Sequence, residues 1–148
     1  MSRLLARCVA CVGVIAMVSL WSPSAHAQTG DPCFGNLKTL LLINQTTGTQ
    51  LLAGTANTKI YLCSIIMISA TAQNLALVEG TGTVCATGTA GVTGGSTANT
   101  GFNWIANEGL TAGSGVGTLA ATATAGNNLC LLQSSTGQVS GVIGVVVL

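Results

Sequence analysis

Lys59-Ile60-Tyr61-Leu62-Cys63-Ser64-Ile65-Ile66-Met67-Ile68-Ser69 (KIYLCSIIMIS) is the stretch from which the rest of the chain is best read. Its β-branched and aromatic side chains suit a pleated surface, and no helical period of polar positions interrupts it. It follows a turn at Asn57 and reads as a long strand, buried on one face and partly covered on the other. Upstream, Leu37 to Asn44 (LKTLLLIN) is a short apolar run closed by a turn at Gln45 to Gly48, and Thr49 to Ala53 is a second short strand. Downstream, Asn74 to Glu79 (NLALVE) alternates, with Leu75 and Leu77 to one side and Ala76 and Val78 to the other. Thr118 to Thr124, Leu129 to Gln133 and Gln138 to Leu148 complete the strands, with turns at Ala125-Gly126-Asn127 and Ser134 to Gly137. Roughly eight to ten short strands, frequent turn signals and no amphipathic helix predict an all-β protein, an antiparallel β-sandwich of jelly-roll-like form. The long strand at Lys59 and the last one at Gln138 are expected side by side in one sheet.

The N-terminus has a different character. Arg3 and Arg7 precede an apolar run from Cys8 to Leu20, and Ser22-Pro23-Ser24-Ala25-His26-Ala27 supplies a proline and an A-x-A signature. This is the pattern of a secretory signal peptide cleaved between Ala27 and Gln28. The run is short for a membrane span, and Cys8 and Cys11 sit too early for a lipoprotein anchor. The expected organisation is a signal peptide over 1–27, a lead-in over 28–36 and one β-sandwich domain over 37–148, exported to the periplasm or beyond.

Beyond Ala27 the chain has no histidine, no arginine and only Asp31, Lys38, Lys59, Glu79 and Glu108 as charged residues. With no basic patch, binding to a nucleic-acid backbone has no support. The surface must be made polar by Thr, Ser, Asn, Gln and exposed glycine backbone, and a near-neutral surface of this kind tends to associate with itself. Glycine-rich tracts such as Thr87 to Gly95 suit flexible chain, but 49% hydrophobic and 5% charged residues are the reverse of a disordered composition. An outer-membrane barrel needs aromatic girdles, whereas only Phe34, Tyr61, Phe102 and Trp104 are aromatic after Ala27.

Cys33, Cys63, Cys85 and Cys130 remain after cleavage, which in an oxidising compartment implies two disulfides. Three pairings are open. Cys33 with Cys63 and Cys85 with Cys130 is favoured, because the first would pin the lead-in to an early strand and the second would tie the glycine-rich loop to a late one. Zinc would call for close cysteine pairs or histidines, and a catalytic thiol for a histidine base; neither is present, so no cofactor is expected. Gly80 to Thr89 repeats G-T-G-T, but no lysine or helix follows as a phosphate loop requires. It reads as a twisted strand end and turn anchored by a disulfide, its first glycines marking a bulge. Asp31, Glu79 and Glu108 are the only candidate acids. A two-carboxylate hydrolase would need two of them across a cleft, and a solvated Glu79–Glu108 pair is the plainer reading, so no enzyme is expected. In Gly101 to Ile105 (GFNWI), Trp104 reads as a buried cap of the core. Its functional alternative is a stacking platform for sugar, with Asn103, Asn107 and Glu108 as polar partners.

The series Lys59 to Cys63 (KIYLC), Leu77 to Gly94 (LVEGTGTVCATGTAGVTG), Ala125 to Leu132 (AGNNLCLL) and Gln138 to Val147 (QVSGVIGVVV) resembles a family of small β-sandwich domains. Such domains occur in tailed-phage virion proteins and in short exported bacterial proteins of unassigned function. The resemblance covers most of Leu37 to Leu148 and departs at Val145 to Val147, where the family commonly has an aromatic residue. It implies a sandwich and its disulfides, with no catalytic residue to carry over. Together these readings predict an exported, non-enzymatic structural or interaction protein. It would associate with itself or decorate a surface or particle made of envelope or particle proteins, without nucleic acid and without a transmembrane segment in the mature chain. The alternative is an extracellular glycan-binding module.

Overall fold

The computed structural model describes residues 30–148, so the signal segment and the Ala27–Gln28 cleavage point lie outside the described residues. Ten strands follow: β1 (Thr39–Gln45), β2 (Thr49–Leu52), β3 (Ile60–Ser69), β4 (Gln73–Thr81), β5 (Thr87–Thr93), β6 (Phe102–Trp104), β7 (Gly109–Ala112), β8 (Ala120–Ala121), β9 (Asn128–Gln133) and β10 (Val139–Val147). One sheet, sheet A, has the order β1-β10-β3-β7, with β8 also on β3. The other, sheet B, runs β2-β9-β4-β5, with β6 also on β4. Every pairing is antiparallel. Leaving aside the short β6 and β8, the chain changes sheet at every step except the β4–β5 hairpin. That is the winding of a jelly roll, and β3 lies against β10 as the sequence predicted.

The long strand does not alternate cleanly because it carries a bulge. Val145 pairs with Leu62 and Gly144 with Ser64, which leaves Cys63 as an extra residue on β3. An inserted residue reverses which parity faces inward. Ile60 and Leu62 therefore enter the main core from one side of Cys63, and Ile65 and Met67 from the other, while Ile66 and Ile68 face out. The carbonyl of Cys63, released from the ladder, accepts the amide of Gly115 at 3.1 Å. A side chain at Gly113 would collide with that same carbonyl, and Gly113 is in the left-handed region (φ 77°), so glycine is needed there twice over.

β4 is buried on both faces, with the two sides occupied as the alternation assigns them. Leu75 and Leu77 join Leu129, Leu131, Ile143 and Val145 in the core between the sheets. Ala76 and Val78 point the other way and pack with Cys85, Cys130 and Leu132. The second cluster is covered by a 3-10 turn at Thr83–Cys85, bound to β9 by the Cys85–Cys130 disulfide. Val84 and Cys85 both have φ above 50°, a region that non-glycine residues rarely enter. The ladder between β4 and β5 shifts register between Glu79 and Thr81. Gly80 at that shift sits so close to the Cys85 and Thr87 carbonyls that a Cβ would lie 2.8 and 2.9 Å from them.

Outside sheet A, Cys33–Cys63 holds the lead-in against Tyr61 and Val146. Asp31 completes the staple by accepting the Thr118 amide at 2.9 Å, the Thr118 hydroxyl at 2.8 Å and the Cys33 amide at 2.8 Å. These bonds, those from Thr118 foremost, hold its carboxyl below the usual value of 3.8.

Three elements depart from the sequence reading. Thr87–Thr93 is a strand, where the sequence reads as a strand end and turn up to Thr89 and offers no strand beyond it. Thr118 to Thr124 contributes only the two-residue β8, and Gly109–Ala112 forms a strand without any strong apolar run. All three lie near the edges of the sheets, where tertiary pairing outweighs local propensity.

Two measurements test these staples. Replacing Cys85 and Cys130 together with alanine should lower stability by about 3 to 4 kcal/mol in urea denaturation, because the 45-residue loop is released. The folded carboxyl of Asp31 titrates below its unfolded value, so its contribution is complete above about pH 3.8 and is lost as pH falls through the lowered value. The stability difference between wild type and Asp31→Asn should therefore be level at neutral pH and shrink in acid.

Candidate interaction surface

Each residue singled out around Trp104 has a defined place. Trp104 pairs with Gln73 across β6 and β4 and is 4% exposed, its ring within the main core. It offers no open face for a sugar; the exposed ring of this stretch is Phe102, at 42%. Asn103, Asn107 and Glu108 are all exposed. Glu108 closes a turn, its carboxylate accepting the Ile105 amide at 2.8 Å and its amide donating to the Ile105 carbonyl at 3.2 Å. Asn107 has φ 62° in that turn, and its amide donates to the Ser69 carbonyl at 2.8 Å. Phe102, Asn103, Trp104 and Glu108 do border one cleft of about 190 Å³, so the structure gathers them, but Trp104 is almost wholly buried and Glu108 is engaged by its own turn.

The two glutamates are not a pair. Glu79 is 2% exposed on the core side of β4, accepting the Thr124 amide at 3.3 Å, while Glu108 lies beyond the Gln73 end of the same strand. Gln73 and Glu79 are six residue steps apart along the strand, roughly 20 Å at about 3.4 Å per residue. Two-carboxylate hydrolysis works at separations of about 5 to 9.5 Å, so these two acids cannot share a substrate. Among the described residues no group of three or more His, Cys, Asp or Glu side chains is placed to hold a metal ion. No helix among them is long and apolar enough to cross a membrane.

A more distinctive surface lies elsewhere, on the outer face of sheet A. Leu42 pairs with Val142, Val142 with Ile66 and Ile66 with Thr111, a row that crosses four strands. Leu42 is 81% exposed, Leu40 68%, Ile66 51% and Ile68 48%. A shallow hollow of about 440 Å³ runs along Ile66, Ile68, Thr111 and Ser140. None of the four strands contains a charged residue. The lead-in covers only the Tyr61–Val146 end of this face, whereas the outer side of sheet B is partly sealed by the Cys85 turn. Exposed apolar residues in one contiguous group, as opposed to scattered ones, mark an interaction surface. No reading of the sequence places this patch. The reversal of parity at Cys63, which puts Ile66 and Ile68 outside, hides it from a strict alternation of the strand.

Trp104→Ala should cost about 3 to 5 kcal/mol in chemical denaturation, as a core truncation does, and Phe102→Ala about 1 kcal/mol or less. Equal, small effects would mean that Trp104 is not part of the core. Comparison with protein-family models, with curated proteins and with solved structures finds no match for this chain.

Proposed function

We propose that this chain is an exported, non-enzymatic structural protein that associates with itself or coats a larger particle or surface. The observation that carries the reading is the uncharged outer face of sheet A, where Leu40, Leu42, Ile66 and Ile68 stand exposed together. Leaving that much apolar surface in water is unfavourable by about 25 cal/mol per Å², and covering it with another protein surface removes the cost. The two disulfides support an oxidising compartment, which agrees with the signal-like N-terminus. A particle-coating role is also in keeping with the resemblance to virion β-sandwich domains. The near absence of charge fits a subunit that spends its life packed against similar surfaces, since no field of one sign keeps copies apart.

The test is to express the full chain, recover the exported product, sequence its N-terminus and measure its mass by size-exclusion chromatography with light scattering over a range of concentrations. Discrete oligomers or filaments, beginning near Gln28, are expected. A product that stays monomeric at the highest concentration, and that binds no particle or envelope fraction, would overturn the reading.

A further inference from the structure

Each sheet of an open sandwich has two edges, and three of the four here are blunted. β2 has four residues and a register shift between Gln50 and Leu52. β7 has four residues. β5 is seven residues long but its ladder is broken by two register shifts. Short strands and bulges are the devices by which proteins prevent edge-to-edge pairing.

β1 has none of them. Its seven residues, TLLLINQ, pair with β10 in unbroken register from Thr39–Val145 to Gln45–Val139. The strand contains no proline, no glycine and no charged residue. Among the described residues, Thr39–Gln45 makes no backbone hydrogen bond other than those to β10. The peptide groups on its far side are therefore unpaired, beside the two most exposed leucines of the face, Leu40 and Leu42.

We infer that a second copy of this chain pairs with the β1 edge, antiparallel and centred on Leu42, to join two A sheets into one. This rests on the self-association reading above and names its contact. A second copy is favoured because the edge is self-complementary. With Leu42 opposite its own mate, Leu40 faces Asn44 and Leu41 faces Ile43, so residues that point outward meet outward ones and core residues meet core ones. All seven residues overlap, and Lys38 falls opposite Thr46, with no like charges brought together. A partner recognised by charge would find nothing to bind on a strand that has none. The joined sheet carries the Ile66–Val142–Leu42 row without interruption into its symmetric copy, and Leu42 loses its exposure to its mate. An isologous contact of this kind closes as a dimer. A single strand pair falls at the small end of interface sizes, below about 1,200 Å² in total, so the dimer dissociates on dilution.

The experiment compares the exported wild-type protein with Leu42→Lys and with a control, Ile105→Lys, whose site is 71% exposed in a turn away from β1. Mass is measured against concentration, and hydrogen exchange of the Thr39–Gln45 amides is followed in the wild type at high and low concentration. The expected result is a wild-type dimer that dissociates on dilution, with amides of β1 losing protection as it does so. At the concentration where the wild type and Ile105→Lys are dimeric, Leu42→Lys should be monomeric, its association weakened at least tenfold. If the wild type associates while β1 amides exchange equally at all concentrations and Leu42→Lys keeps the wild-type mass, the β1 contact is wrong and self-association stands. If the wild type is monomeric throughout, both fall. The exchange measurement uses the unaltered protein and decides the matter even if Leu42→Lys does not fold.

Discussion

The extra residue at Cys63 sets the geometry on which sheet A depends. Without it, β3 would present one parity along its whole length against β10, and either Ile60 and Leu62 or Ile65 and Met67 would face solvent. With it, both pairs reach the core, and Cys63 itself turns outward to meet Cys33. The bulge, the disulfide and the Gly115 bond to the freed carbonyl are thus parts of one local solution. Each satisfies a requirement that another creates, which is the usual reason that a bulge persists as a fixed feature.

The ends of the sandwich handle buried polarity in a similar way. At one end Gln73 lies within the core layer, its amide donating to the Ser69 hydroxyl at 2.8 Å and the Gly137 carbonyl at 3.3 Å, with Ser135 donating to its oxygen at 3.3 Å. At the other, Thr122 accepts the Ile60 amide at 3.0 Å, and Glu79 meets the amide of Thr124. Both Gln73 and Glu79 belong to the inward parity of β4, so the strand runs from a polar group through Leu75 and Leu77 to another polar group. That pattern fixes how far β4 can slide along its neighbours. A shift of two residues would place Gln73 or Glu79 among leucines, where an unpaired polar group costs about 1 to 3 kcal/mol or more.

Much of this was legible in the sequence, and the exceptions are physical. The runs at Lys59–Ser69, Asn74–Glu79 and Gln138–Leu148 announced β3, β4 and β10 because buried strands must be apolar whatever their neighbours are. β5 and β7 were hidden because edge strands owe their form to the pairing partner, and Thr87–Thr93 has little apolar content of its own. Around Trp104, the sequence placed the aromatic residue correctly as a cap but gave no means to see that Phe102, two residues earlier on the same strand, is the ring left outside. The Glu79–Glu108 relation was equally invisible, since it depends on which end of β4 each reaches. The exposed row on sheet A was obscured by the bulge: strict alternation through Lys59–Ser69 assigns Ile66 and Ile68 to the same side as Ile60 and Leu62.

The distribution of charge connects the fold to its use. A jelly roll leaves four strand edges and two outer faces to be managed, and charged side chains are the most economical means of keeping them from pairing. This chain uses almost none. It relies instead on short strands and bulges, and among the described residues these blunt every strand edge except β1. A sequence that can blunt three edges without charge is not constrained to leave the fourth open. The combination at β1 of a regular ladder, no charge and two exposed leucines on the same face as Ile66 and Ile68 is what the proposed contact would use, since a second copy would both pair the open edge and take those leucines out of water.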